Sequence, residues 1–379
     1  MHRRDLLKTA MIAVPSLGRG QSRPASFAYV GCYTTEQRHG RGDGIHVYSI
    51  DGESGRLVEV QTIGDLVNPS FLITSRDRHC LYSVHGDGNH ATSFRIEPST
   101  GKLKLLNTAV TGGVNGVHQA LSRNGDFMVV ANYGSGSVAV LPVRPTGELA
   151  DQIQIVALEG NPGPHRVEQT ASHPHQIVFD PTGRFVLVPD KGLDRVFIFR
   201  FDERTGRLTP TGRGSVQTRE GAGPRHLAFD PTLPRVWVLN ELNSTAATYS
   251  WDSDEGVLKP LQILPTLPSD FTGANSGAEI AVGPQSRFVY CSNRGHDSIA
   301  AFAVNPRTGL LTPAGWTPAG GRVPRFIGLE PSGRFLYSAN EQGDSVTAFR
   351  VHAASGALTA VGPPTPNKSA VTVAFTRGI

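Results

Sequence analysis

Seven times the chain sets a glycine two residues before a leucine in similar local text: Gly55 and Leu57, Gly101 and Leu103, Gly147 and Leu149, Gly206 and Leu208, Gly256 and Leu258, Gly309 and Leu311, Gly356 and Leu358. Successive glycines lie 46, 46, 59, 50, 53 and 47 residues apart. A period near 50 residues that carries strand-like text is the mark of a β-propeller, in which each unit is one blade stacked on its neighbours. A length of 379 residues taken alone suggests two or three domains, but the repeat overrides that prior. The 43 glycines and 27 prolines supply turns for many short strands, and no apolar run reaches the 18 residues needed to cross a bilayer.

The blade plan is plainest in residues 173–211. His173 to Asp180 reads as a strand, Pro181-Thr182-Gly183 as a turn, Arg184 to Pro189 as a second strand, Arg195 to Phe201 as a third, and Leu208 to Thr211 as the start of a fourth. The same grammar restarts at Ser70, His118, Arg225, Glu279 and Arg325, and the segment from Phe27 to Gln61 supplies the seventh unit. The expected fold is all-β: a seven-bladed β-propeller with four antiparallel strands per blade, forming one domain over residues 25–379. The last apolar run, Ala370 to Phe375, is expected to pair with the N-terminal blade and close the ring, because an open ring leaves bare strand edges. Glu159 to Ser172 and Pro265 to Gly277, the longest interruptions, read as loops on one face.

Residues 1–24 stand apart. M-H-R-R-D-L-L-K followed by the short apolar stretch Thr9 to Leu17 resembles a twin-arginine export signal, which implies a periplasmic or secreted protein. A basic tail on a cytoplasmic protein is the alternative, since no clean A-x-A cleavage site follows. These residues carry Arg3, Arg4, Lys8, Arg19 and Arg23 against Asp5, which matches the net +4 of the whole chain. The remainder is neutral, so no nucleic-acid partner is expected. Cys32, Cys80 and Cys291 are odd in number and lack C-x-x-C spacing; they read as buried strand residues rather than as disulfides or a zinc site.

Propeller geometry converts sequence position into spatial position. Strands within a blade are antiparallel and the first lies nearest the channel, so its start and the end of the second strand open on the same face. Those slots hold His118; His173, His175 and Asp190; Arg225, His226, Asn240 and Glu241; Glu279, Asn293 and Arg294; and Arg325, Asn340 and Glu341. The opposite face carries turn text such as Pro181-Thr182-Gly183 and Pro331-Ser332-Gly333. One mouth is therefore rich in ionisable groups, a setting that perturbs pKa values and binds anions, although Arg–Glu pairs also serve to knit neighbouring blades. Alternation along a strand allows only one of His173 and His175 to face the channel, and His175 is the expected one, with His173 in the loop above.

The stretches S-H-P-H-Q-I-V-F-D-P-T-G-R-F (172–185), G-P-R-H-L-A-F (223–229), V-L-N-E-L (238–242), G-A-E-I (277–280), S-N-R-G-H-D-S-I-A-A-F (292–302) and A-N-Y-G-S-G-S-V (131–138) resemble the seven-bladed β-propeller lactonases. That family contains the propeller type of 6-phosphogluconolactonase and is related to fungal carboxy-cis,cis-muconate cyclase. The likeness spans about Tyr29 to Phe375. It implies an active-site quartet of His175, Arg225, Glu241 and Arg294, with Glu279 and His118 also in family-like positions. Where members often have G-P-x-H, this chain reads Gly116-Val117-His118, keeping the histidine and losing the proline.

The activity implied is hydrolysis of a sugar lactone. His175 or Glu241 takes a proton from water, Arg225 and Arg294 stabilise the oxyanion or hold an anionic group, and His118, His173, His226, Glu279, Asn293 and Arg325 contact substrate. The expected partner is a small lactone or carboxylate; no cofactor or metal is called for, and the chain is expected to be a monomer or a weak homo-oligomer. Two other readings use the same residues: a muconate-type lactonising cycloisomerase, with the arginines clamping two carboxylates, and a binding propeller without catalysis. A metal or quinone site would have to draw on scattered histidines such as His85, His90 and His118. No G-x-S-x-G elbow precedes a helix, so Ser-His-Asp chemistry is not suggested.

Overall fold

In the computed structural model, which describes residues 26–377 apart from Arg78, all seven repeat glycines have positive φ, between 68° and 90°. Glycine enters that region without steric cost. Space forbids a side chain there as well: a Cβ on Gly101 would lie 2.4 Å from the Phe27 ring, and one on Gly256 2.4 Å from Phe185, in each case a residue of the preceding unit. The Tyr29 hydroxyl then donates to the Gly101 carbonyl at 3.0 Å, as Tyr290 does to Gly356 and Tyr337 to Gly55. The repeat is thus the seam at which one blade leans on the next. Gly101→Ala is expected to cost about 1–3 kcal/mol, since it drives a methyl into a packed ring. Chemical denaturation measures this, and an unchanged midpoint would refute the seam.

The blades follow in chain order, each with its sheet antiparallel. The second comprises Pro69–Thr74, Cys80–His85, His90–Ile96 and Leu103–Val110; the third Gly116–Leu121, Phe127–Asn132, Ser137–Pro142 and Gln154–Ala157. The fourth comprises Val178–Phe179, Phe185–Asp190, Arg195–Asp202 and Arg207–Gln217; the fifth Pro224–Phe229, Arg235–Asn240, Thr245–Asp252 and Val257–Pro265. The sixth comprises Ser276–Val282, Phe288–Arg294, Ser298–Val304 and Leu311–Pro318, and the seventh Pro324–Leu329, Phe335–Asn340, Ser345–Val351 and Leu358–Ala360, with Thr365–Pro366 as a short addition.

The first blade is composite. Ser26–Cys32, Ile45–Ile50 and Leu57–Ile63 receive their innermost strand from the far end of the chain, where Ala370–Arg377 pairs antiparallel with Ser26–Cys32 and Tyr29 faces Ala374. The ring closes as expected. Deleting the chain from Ala370 onward bares that edge, and the truncated protein is expected to aggregate rather than elute as a monomer in size-exclusion chromatography. A soluble, cooperatively melting truncation would show that the closure is dispensable.

Two details depart from the expected grammar. In the third blade Leu149 only bridges Val143, and the outermost strand begins at Gln154. In the fourth the innermost strand shrinks to Val178–Phe179, with Pro174 bridging Asp190 beyond it, so most of the stretch expected from His173 is irregular. The twin-arginine segment lies outside the described residues.

Between every pair of adjacent blades lies a layer of apolar side chains. Val129, Val138 and Val140 of the third blade meet Val186, Val188 and Phe199 of the fourth, and Phe335 and Tyr337 of the seventh meet Ala28, Val30 and Tyr48 of the first. Cys32, Cys80 and Cys291 are buried thiols, as expected. The core is therefore radial, and the charged and imidazole side chains gather at one end of the channel beside Phe71, Val117, Phe326 and Val371.

Candidate active site

At its channel end each innermost strand slips register by one residue. Pro69 faces His85 while Phe71 faces Val84, which leaves Ser70 without a partner across the ladder. The same slip isolates Val117, Arg225, Arg325 and, on the ring-closing strand, Val371. In the fourth blade it falls between Pro174 and Val178, where His175 sits, and in the sixth Ala278 and Glu279 together face Ser292. A β-bulge suspends strict alternation and re-aims side chains. Consecutive residues consequently line one cleft: Ser70 with Phe71, Arg225 with His226, and Arg325 with Phe326, joined by His175 and Glu279. The cavity volume of the cleft is about 20 Å³, room for about one water, so the side chains around it are closely packed.

Glu241 organises the cations. Its carboxylate lies 2.9 Å from Arg225 Nε, 3.2 Å from Arg294 Nη2 and 3.4 Å from Lys191 Nζ, and the residue is only 7% exposed. Burial raises a carboxyl pKa, yet Arg294, Lys191, Arg225 and Arg325 outweigh it and hold Glu241 well below the usual carboxylate range. The guanidinium groups are also fixed by backbone: Arg225 Nη1 donates to the Ala278 carbonyl and Arg294 Nη2 to that of Gly277 at 3.0 Å. Burial and the neighbouring Arg294 pull Arg225 down to about 10, so it remains a cation at neutral pH. Lys191 was not among the residues selected from sequence. Its ammonium also bonds Glu168 at 2.7 Å, from the loop before the fourth blade, and lies over the Tyr133 ring at 5.2 Å. Arg325 pairs with Glu341 at 3.3 Å and lies over the Tyr33 ring.

The histidines divide into two sets. His118, His175 and His226 are buried at the channel, with the His226 ring 5.5 Å from that of His118 and 5.2 Å from that of His175. Burial, then the charges of Arg225 and its neighbours, keeps all three well below the ordinary histidine pKa, so they are neutral at pH 7. His118 Nδ1 accepts the Ile177 N–H at 3.3 Å, and its ring packs 4.0 Å from Phe71. His226 Nδ1 lies 2.6 Å from Glu279 Oε1. His175 Nδ1 and His226 Nε2 are buried and have no hydrogen-bond partner among the described residues. His173, by contrast, stacks on Tyr133 at 4.4 Å on the rim, with its N–H given to Asp190. His85 spends both ring nitrogens, on the Val67 carbonyl and Thr92.

The ends of the second strands carry two functions in successive residues. Asn240 and Asn293 turn inward to lock the hairpin: Asn240 bonds Thr245, and Asn293 bonds Ser298, Asn275 and the hydroxyl and carbonyl of Thr266. Asp190 does the same work by accepting the N–H groups of Gly192 and Leu193. The residue after each lock, namely Lys191, Glu241 or Arg294, reaches the mouth.

A seven-bladed ring closed by its C-terminal strand, with a histidine, arginine and carboxylate cluster at one mouth, meets a direct counterpart. Residues 27–375 match the family described as "Lactonase, 7-bladed beta-propeller". This chain belongs to that family. Among relatives, 6-phosphogluconolactonase of Bacillus subtilis is 34% identical over 286 residues, covering 75% of this chain and 79% of that protein. A 6-phosphogluconolactonase of Formosa agariphila is 29% identical over 312 residues, covering 80% and 86%. Among solved structures, the periplasmic gluconolactonase PpgL of Pseudomonas aeruginosa superposes with a TM-score of 0.87 at 30% identity, over 94% of this chain and 100% of that one. The propeller lactonases are enzymes, and the mouth just described is this one's candidate active site.

Proposed function

We propose that this lactonase opens a sugar lactone of the gluconolactone type, with His175 as the base that activates water and with Arg225 and Arg294 receiving the charge that develops on the carbonyl oxygen. The observation that carries the reading is a buried, unpartnered His175 Nδ1 in the same cleft as the Arg225 guanidinium. A neutral imidazole has a lone pair to offer water, whereas Glu241, clasped by three cations, holds its charge too tightly to accept a proton. Glu241 is then the anchor that aims the two arginines. Attack of water gives a tetrahedral intermediate whose oxyanion meets prepositioned guanidinium N–H groups, the arrangement that costs least reorganisation. The relatives named 6-phosphogluconolactonase and gluconolactonase support the substrate class.

The test follows acid release from δ-gluconolactone, 6-phosphogluconolactone and a muconolactone, with spontaneous hydrolysis subtracted. The wild type is expected to turn over at least one of the two sugar lactones, and Arg294→Ala is expected to lose about 10²- to 10³-fold in kcat/KM, as for removal of an oxyanion donor. No turnover of any lactone, together with isomerisation of a carboxymuconate, would reverse the reading in favour of a cycloisomerase.

A further inference from the structure

We propose that His226 and Glu279 form a proton-donating pair that protonates the leaving ring oxygen, a role distinct from that of His175; the proposal rests on the lactone-hydrolysis reading above. Three of the carboxyl groups near the mouth differ in their partners. Glu241 is held by Arg225, Arg294 and Lys191, and Glu341 by Arg325, but the side-chain partner of Glu279 is an imidazole. The contact is 2.6 Å, from Glu279 Oε1 to His226 Nδ1, and the two residues are 5% and 2% exposed. Glu279 is placed there by the bulge it shares with Ala278, and the Ile280 N–H fixes Oε1 at 3.0 Å. The far nitrogen of the same ring, His226 Nε2, is buried and unpartnered, and both residues line the cleft.

This geometry sets the protonation pattern. Burial, opposed by Arg225 and the Ile280 N–H, raises the Glu279 carboxyl to about 8, so at neutral pH it is an acid that donates its O–H to His226 Nδ1. His226, neutral, then carries its own proton on Nε2. When the tetrahedral intermediate collapses, the bond between the acyl carbon and the ring oxygen breaks, and that oxygen leaves with the electron pair and takes the Nε2 proton. The Glu279 proton moves to Nδ1, which leaves a carboxylate hydrogen-bonded to a neutral ring. The proton that His175 took from water returns to Nε2 through the cleft and resets the pair, while the product carboxylic acid releases its own proton to solvent. Every charged or titratable neighbour bears on this pair: Arg225, Arg294 and Arg325 favour loss of the proton, Glu241 opposes it, and His118, His175 and Cys291 pack against it in neutral form.

Leaving-group dependence separates donation from mere packing. An alkoxide needs the proton; a thiolate leaves without it. Wild type and Glu279→Gln are compared on δ-gluconolactone and on its analogue with sulfur in the ring, with His226→Gln as a second variant and thermal melts as the control for folding. Glutamine still donates an N–H to Nδ1 but has no proton to pass on. The expected result is a fall in kcat of about 10² or more on the oxygen lactone and less than about tenfold on the thiolactone, with the alkaline limb near pH 8 lost in Glu279→Gln. Equal losses on both substrates, or an unmoved alkaline limb, would overturn the pair while leaving lactone hydrolysis intact. A wild type that opens neither ring would instead bring down the underlying reading.

Discussion

Glu241→Gln is expected to remove most of the activity and a large part of the stability at once. The substitution keeps the shape of the side chain but deletes the one charge that touches Arg225, Arg294 and Lys191 within 3.4 Å. Three cations then share a buried site in which, among the described residues, Glu168 at the end of Lys191 is the one remaining direct counter-charge. Breaking a buried ion pair by removing one partner costs about 3–5 kcal/mol, because the remaining charge is desolvated without compensation. The same loss lets the guanidinium groups drift from the position of the oxyanion, for which a fall of about 10²- to 10³-fold in kcat/KM is expected. The pH dependence provides the internal check. A carboxyl held below its unfolded value of 4.5 contributes stability that is present above that pH and is lost as pH falls through the folded pKa. The stability gap between wild type and variant should therefore be full at pH 7 and narrow as the solution is acidified below the ordinary glutamate range. A variant that melts with the wild type at pH 7 would show that Glu241 is not the anchor.

The number of blades and the identity of the mouth were legible because both depend on periodicity. Gly-x-Leu marks the seam at which Phe27 or Phe185 presses on the turn of the following blade, and a seam must recur once per blade. Antiparallel order then places strand starts and second-strand ends on one face, which put His175, Arg225, Glu241 and Arg294 among the slot residues; the family resemblance picked those four out of the set. Two physical features were hidden. The bulge at the channel end lets Arg225 and His226 both line the cleft, which strict alternation forbids; a register slip leaves no residue signature in this chain, since the isolated positions hold Ser70, Val117, Arg225, Arg325 and Val371 alike. The division of labour at second-strand ends was also missed: Asn293 serves the hairpin, while the next residue serves the mouth. Lys191 follows Asp190 as Glu241 follows Asn240, so reading the slot one residue further would have found it.

His175→Gln is expected to lower kcat by about 10²- to 10⁴-fold with little change in KM, the usual range for removal of a general base. The sign of the pH effect follows from its surroundings. A base works deprotonated, and burial, followed by Arg225, His226, Lys191 and Arg325, depresses the pKa of His175 well below 6.5. The active form is therefore fully populated at neutral pH and stays so on acidification, so wild-type kcat/KM should be flat from pH 7 through 6 and fall only at distinctly lower pH. A histidine in ordinary surroundings would give the fall near 6.5, and a limb found there would remove His175 from the role. Glu241 offers the contrasting case: its carboxylate is held well below the usual range by its cations, and a base there would leave His175→Gln active. Imidazole added to a smaller variant, His175→Ala, extends the argument: partial recovery of rate that saturates with imidazole concentration places the missing group at the cleft, since only a void next to the reacting water can accept it.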